Sequence, residues 1–319
     1  MTKEEKPVEI THDSYLRKQF RQIDFARSYF QENLPESFQK IVDWDTLRLA
    51  PDDFVNKALK NRRTDILYLI NAKRLEIFLH LHVEHQRKVD MDMPIRLMLY
   101  MANIWSQHRA QYPKKPIPLV YSMVIYQGKR KWTAARTLHD YLKVPKDLKD
   151  FVPNFKYGLM HLKGLADDEI KGILMVRLVL LIMKYIDSPD LNQILEERVL
   201  PLVKSLLESK SGLEIIQDML YYLADKGKFL DEEKTVKLFQ SIKTTEPIQE
   251  LMMTLGEKWE ARGETNGKIQ MIEKLLASKF RKENAQLWLK KLAQYPPTKL
   301  DIIGENILTA NTIEEVFKI

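Results

Sequence analysis

Two acidic residues and one amide have the types and spacing to do chemistry. Asp65 lies in TDILYLI (64–70), whose branched and aromatic side chains favour extended structure. Glu84 and Gln86 lie in the next such run, EIFLHLHVEHQ (76–86). A hairpin turning at Asn71–Lys73 would bring both carboxylates to one side of a sheet. That pair suits a hard divalent cation. Mg²⁺ takes oxygen ligands, uses one or two protein carboxylates and keeps several waters, which leaves room for a phosphate and a hydrolytic water. Gln86 shares the strand face of Glu84, where its amide can orient that water or donate to phosphate. On spacing alone, a satisfied carboxylate pair at a surface or hinge accounts for the same residues, because structural acid pairs also perturb one another.

The alternation of residues 76–86 puts Ile77, Leu79, Leu81 and Val83 on one face, read as core. Glu76, His80, His82, Glu84 and Gln86 fall on the other, read as ionisable. H-x-H-x-E could hold zinc through imidazole and carboxylate. Hydrogen-bonded histidines beside a cleft explain the same pattern, with His82 able to assist a proton transfer. His85 points to the opposite face, so only its backbone carbonyl would reach a metal there. Asp13 reads either as an accessory acid or as part of a helix cap with His12 and Ser14. Basic clusters at KALKNRR (57–63, with Arg62 and Arg63), RAQYPKKP (109–116) and QGKRKW (127–132, with Lys129, Arg130 and Lys131) are phosphate contacts or solvated loops. Arg96 and Tyr100, one helical turn apart, either contact nucleic acid or brace the sheet. Trp259 and Trp288 read as packing residues.

The elements that must position these residues follow from periodicity. Residues 12–34 are helix-like, with Leu16, Phe20, Ile23, Phe30 and Leu34 near helical spacing. A strand is expected at 46–50, then the two strands above. A helix over 93–111 has an apolar stripe of Ile95, Met98, Leu99, Ala102 and Trp105, and prolines 113, 116 and 118 end it. IPLVYSMVIY (117–126) reads as a strand covered on both faces. The order α-β-β-β-α-β predicts a three-layer α/β core with a mixed sheet. Beyond Pro153 the periodicity is helical over 167–187, 190–208, 212–226 and 232–243. Three glycines in GEKWEARGETNGK (256–268) suggest a boundary near 262 and a small helical module after it.

A chain of 319 residues that is 45% hydrophobic can bury a substantial core. With 51 Lys and Arg against 44 Asp and Glu, its formal charge of +7 favours polyanionic partners. Without cysteine it has no disulfide, thiolate metal site or Cys nucleophile, which fits a cytoplasmic setting. The N-terminus has no apolar leader, and ILMVRLVLLIMKYI (173–186), interrupted by Arg177 and Lys184, is too short to span a bilayer, so no membrane partner is expected.

The segments HDSYLRKQF, RTDILYLI, LHVEHQRKVDMDMPIRLMLYM, VIYQGKRKW and LTANTIEEVF occur in this order. In composition and spacing the chain resembles the Rpn (YhgA-like) family of recombination-promoting nucleases, to which the label transposase is also attached. The resemblance covers residues 12–162 and again 268–317. It implies a PD-(D/E)XK nuclease with a restriction-endonuclease-like core at 12–162, after a loose 1–11 and before a helical extension at 163–261 and a module at 262–319. It further implies Mg²⁺-dependent DNA endonuclease activity that promotes recombination in connection with mobile elements, with Mn²⁺ as a substitute metal. The family's acidic and E-x-Q positions fall on Asp65, Glu84 and Gln86, and its N-terminal HD on Asp13. A homo-oligomer is compatible with this reading. The chain departs from the family pattern at Leu16-Arg17, at Arg87 and at Gln127. Those departures keep open an alternative, a catalytically weak DNA-binding or partner-binding factor on the same fold.

Overall fold

The computed structural model describes residues 11–51, 65–73, 75–84, 89–242, 246–280, 291–292 and 294–318, with backbone alone at 83, 84, 247, 251, 258 and 262. The chain divides into two compact units, residues 1–231 and 232–319.

The first unit opens with α1 (His12–Phe20) and α2 (Ile23–Asn33). The single helix expected over 12–34 is therefore two. The chain turns at Arg21 and Gln22, where Gln22 takes an extended conformation, ψ 117°, and starts α2. The cap of α1 is Thr11, which forms a capping box with Ser14. Asp13 sits inside the first turn, where a negative charge suits the helix dipole.

After α3 (Glu36–Gln39) come β1 (Val42–Leu49), β2 (Asp65–Ala72) and β3 (Leu75–Glu84). The helix α4 (Met93–Gln111) then leads to β4 (Leu119–Tyr126), and α5 (Leu138–Leu142) precedes β5 (Gly158–His161). The sheet runs in sequence order, β1 to β5. β1, β2 and β3 are antiparallel, and β3, β4 and β5 are parallel. The expected α-β-β-β-α-β order and mixed sheet are present. Ala72 pairs with Leu75, so the β2–β3 hairpin turns in two residues, and Lys73 takes the positive φ (53°) that tight hairpins demand.

Register divides the side chains between two faces. Ile66, Tyr68, Ile70, Ile77, Leu79, Leu81, Met123 and Ile125 belong to one face and are buried. The Tyr68 hydroxyl donates to the Phe20 carbonyl of α1, and the Phe30 ring of α2 meets the Tyr68 ring edge-on at 5.2 Å. Leu67, Leu69, Phe78 and Val124 belong to the opposite face and pack with Met93, Leu97, Tyr100 and Ile104 of α4. That second face is the one read as ionisable. It is also interior, because α4 covers it. The helix does so with a different stripe from the expected one: Leu99 and Ala102 are exposed, while Leu97, Tyr100, Met101, Ile104 and His108 are buried.

The rest of the first unit is helical: α6 (Leu174–Tyr185), α7 (Leu191–Ile194), α8 (Leu200–Leu206) and α9 (Lys210–Lys226). A π turn, Leu195–Val199, joins α7 to α8 just before Pro201, whose missing N–H removes a helical bond. The apolar run at 173–186 forms α6, and Val176 and Leu178–Met183 are buried. Among the described residues no helix is long and apolar enough to cross a membrane. Helix α1 is tied to α9: Lys18 and Gln19 both bond Asp218, at 2.5 and 2.8 Å, and the Tyr15 and Tyr222 rings stack at 4.1 Å.

Among the described residues the second unit holds α10 (Glu232–Gln240), α11 (Glu246–Lys279), α12 (Pro297–Thr309) and α13 (Ile313–Val316). Its core gathers Ile272, Leu276, Leu300, Ile303 and Ile307. Residue 262 lies inside α11, and the glycines at 256, 263 and 267 do not interrupt that helix. Trp259 is buried, and Trp288 lies outside the described residues.

Candidate active site

Asp65 is the first residue of β2 and pairs with His82 of β3, while Leu67 pairs with His80. Residues opposite each other in antiparallel strands share a face, so both imidazoles stand beside the acid under α4. The His82 Nδ1–H donates to Asp65 Oδ1 at 2.5 Å. His80 Nε2 lies 3.4 Å from the same oxygen, an ion-pair contact without hydrogen-bond alignment, and His80 Nδ1 lies 3.2 Å from Ser122 Oγ. Asp65 and His80 are wholly buried and His82 is 2% exposed. Asp65 Oδ2 is also buried and has no hydrogen-bond partner among the described residues.

Burial alone would push the Asp65 carboxyl up. The contacts of the His80 and His82 imidazoles with Oδ1 outweigh it and hold the group well below the usual carboxylate range. An ionised carboxylate with one oxygen engaged and one without a partner among the described residues thus sits inside the sheet-helix layer.

Helix α4 supports this arrangement. Arg96 Nη2 is 3.5 Å from His82 Nε2, and Arg96 Nη1 forms an ion pair with Asp90. The Tyr100 ring lies edge-on to His80 at 5.2 Å. A guanidinium can only donate, so His82 Nε2 accepts and its proton sits on Nδ1, facing Asp65. Of the two roles open to Arg96, bracing is the one its contacts support. Among the described residues no group of three or more His, Asp or Glu side chains is disposed to hold a metal ion, and both imidazoles are turned to Asp65 rather than to a zinc site.

Glu84 closes β3 opposite Tyr126, two positions beyond His82, about 7 Å along the strand. The register puts positions 65 and 84 at the same end of the hairpin. The Glu84 side chain, Arg62, Arg63, His85, Gln86 and Arg87 lie outside the described residues. Lys129, Arg130 and Lys131 are exposed and begin three residues after Tyr126, the last residue of β4 and the partner of Glu84. Their loop is pinned by His161 Nε2, which donates to the Gly128 carbonyl at 2.9 Å. Gly128 is required there, since a Cβ would sit 2.0 Å from the Tyr126 hydroxyl. The 109–116 cluster lies at the other end of the sheet, before Leu119, and Arg109 is used to bond the Pro113 and Lys115 carbonyls. A cleft of about 330 Å³ at that far end, lined by Lys73, His108 and Lys115 among others, is remote from Asp65.

Sequence reading missed two residues beside the acid. Arg17 and Arg21 of the α1 segment line a cavity of about 10 Å³ with Leu49, Ala50, Asp65, Ile66 and Leu67. Their signal was an i, i+4 pair on the side of α1 away from Tyr15 and Gln19. Asp13 instead has Tyr222 of α9 as an electrostatic neighbour.

Fold and site define a three-layer α/β protein with a mixed sheet, a helical C-terminal half and one ionised acid buried at the end of its central hairpin. The chain belongs to the family described as "Putative transposase, YhgA-like", which matches residues 10–214. That match runs past the 12–162 segment that the motifs cover and takes in α6, α7 and α8. The chain is 27% identical to recombination-promoting nuclease RpnD of Escherichia coli O157:H7, over 77% of this chain and 93% of that protein. It is 28% identical to recombination-promoting nuclease RpnC of Escherichia coli K12, over 81% and 83%. It is also 24% identical, over 80% and 83%, to a protein of the same strain named as the inactive recombination-promoting nuclease-like protein RpnE. No solved structure matches.

Proposed function

We propose that this chain is a Mg²⁺-dependent DNA endonuclease of the PD-(D/E)XK type, with Mn²⁺ as a substitute metal, and that its cuts promote recombination. The observation that carries the reading is the Asp65 carboxylate, ionised in the interior with Oδ2 unpartnered among the described residues. Such an oxygen fits a hard cation, which takes oxygen donors and compensates a buried negative charge. Asp65 and Glu84 would hold the metal, and Gln86 would orient the attacking water. Bound Mg²⁺ supplies Lewis-acid stabilisation of the phosphate and a more acidic water.

The chain's own residues do the rest. His82 fixes the acid, α4 keeps bulk water from it, and Arg17 and Arg21 add positive charge next to it. Lys129, Arg130 and Lys131 grip the DNA backbone where the parallel strands end, the usual ligand side of such sheets. These contacts are to phosphates, so weak base preference is expected.

Supercoiled plasmid incubated with the purified chain should be nicked with Mg²⁺ and left intact with EDTA. Asp65→Ala and Glu84→Ala, checked for folding by circular dichroism, should each lower cleavage at least about a hundredfold, as loss of a group acting on the transition-state charge does. Cleavage that survives both substitutions would exclude this site. The inactive relative, 24% identical to this chain against 27% and 28% for the two nucleases, favours one second reading, a DNA-binding or partner-binding factor without cleavage. That reading predicts DNA binding indifferent to Mg²⁺ and to Glu84.

A further inference from the structure

We propose that His82 is a positioning residue that commits Asp65 to bind its divalent cation through a single oxygen, Oδ2. The inference rests on the metal reading above and adds which oxygen binds and what fixes it.

A free aspartate turns its carboxylate readily, because the terminal torsion is broad and roughly two-fold, and it can present one oxygen or both. Here the choice is made before any ligand arrives. Oδ1 takes the His82 Nδ1–H at 2.5 Å and faces His80 Nε2 at 3.4 Å, while Oδ2 has no partner among the described residues. His82 is itself oriented. Arg96, able only to donate, lies 3.5 Å from Nε2 and leaves the ring proton on Nδ1. Arg96 is anchored by its ion pair with Asp90. The chain Asp90–Arg96–His82–Asp65 runs from the start of α4 to the start of β2, two rigid elements, and each link hands direction to the next. Single-oxygen coordination suits Mg²⁺, which needs a compact octahedron, over Ca²⁺, which gathers more oxygens and accepts bidentate carboxylates. His82 thereby contributes to metal choice without touching the metal.

Two conservative replacements separate the donor from the ring. In His82→Asn the amide nitrogen replaces Nδ1 as donor to Asp65; in His82→Gln the amide falls nearer the position of Nε2. Mn²⁺ binding to the full chain, read by electron paramagnetic resonance, should stay within about threefold of wild type in His82→Asn and weaken about tenfold or more in His82→Gln and His82→Ala. Nitrogen-15 shifts of labelled histidine in the metal-free protein should place the His82 proton on Nδ1. Circular dichroism and thermal melts establish that all the variants fold. Equal weakening in His82→Asn and His82→Gln, wild-type binding in His82→Ala, or a proton on Nε2 would overturn the proposal. Asp65→Ala binding Mn²⁺ as wild type does would overturn the metal reading itself, and this inference with it.

Discussion

Asp65 is held by its neighbours rather than by solvent, and this gives its titration a direction. Its folded value lies below the ordinary one of about 3.9, so the ionised form favours the folded state. The stabilisation is complete above the unfolded value and is lost as pH falls from about 4 toward the folded value. Asp65→Asn should therefore lower stability at pH 7 by about 1.5–3 kcal/mol, the range for hydrogen bonds to charged groups. The deficit should shrink below about pH 4. Urea unfolding of both proteins at pH 7 and in that acid range checks it, and a deficit that does not change with pH would contradict it. The sequence made the acid and the two histidines visible as candidates through their alternation, but not their burial. Polar residues at every second position look like a solvated face whenever the covering element comes from elsewhere in the chain, as α4 does. Arg17 and Arg21 were equally hidden, since their meeting with β2 depends on how α1 docks.

At the scale of the element, α4 decides whether the site is interior. Its bounds, 93–111, were legible from a proline near the start and three prolines after the end. Its buried side was not. Ile95, Met98, Leu99 and Trp105 are as apolar as Leu97, Met101 and Ile104, so hydropathy offers two stripes and cannot choose between them. The chosen one includes Tyr100 and His108, whose polar atoms lowered its apparent apolarity. Leu97→Ala, at a position with no exposure, should cost about 2–5 kcal/mol in chemical denaturation. Leu99→Ala, at a position 58% exposed, should change stability by no more than about 0.5 kcal/mol. The reverse order would restore the stripe read from the sequence. Turn chemistry was a closer guide: the β2–β3 turn comes at Lys73, the last residue of the expected Asn71–Lys73 turn, while Asn71 and Ala72 still pair within the hairpin. The break at Arg21 and Gln22 lacks both glycine and proline and left no mark to read.

Over the whole molecule, charge is the property that bears on the partner. The excess of +7 includes an exposed Lys129-Arg130-Lys131 run beside the end of β4 and a second basic cluster at the far end of the sheet. If the first grips DNA, replacing all three residues by alanine should weaken binding to every sequence alike and reduce the slope of log K against log salt by about 2–3. Fluorescence anisotropy across a salt series measures this, and an unchanged slope would remove the loop from the interface. Glycines at 256, 263 and 267 suggested a break, yet they lie within one 34-residue helix, and the chain divides into its two units between residues 231 and 232. An isolated glycine lowers helix propensity by only about 1 kcal/mol, which the packing of α11 against its own unit can offset.

The two-residue turn between β2 and β3 also bears on the order in which the molecule assembles. Asp65 and His82 are separated by 17 positions, whereas Lys18 and Asp218, which fasten α1 to α9, are separated by 200. A contact between near neighbours closes after a short diffusive search, and one spanning most of a domain closes late. The carboxylate and its imidazole partner can therefore be paired on a nascent chain before α9 has left the ribosome, and the later steps of folding enclose a site whose central bond already exists.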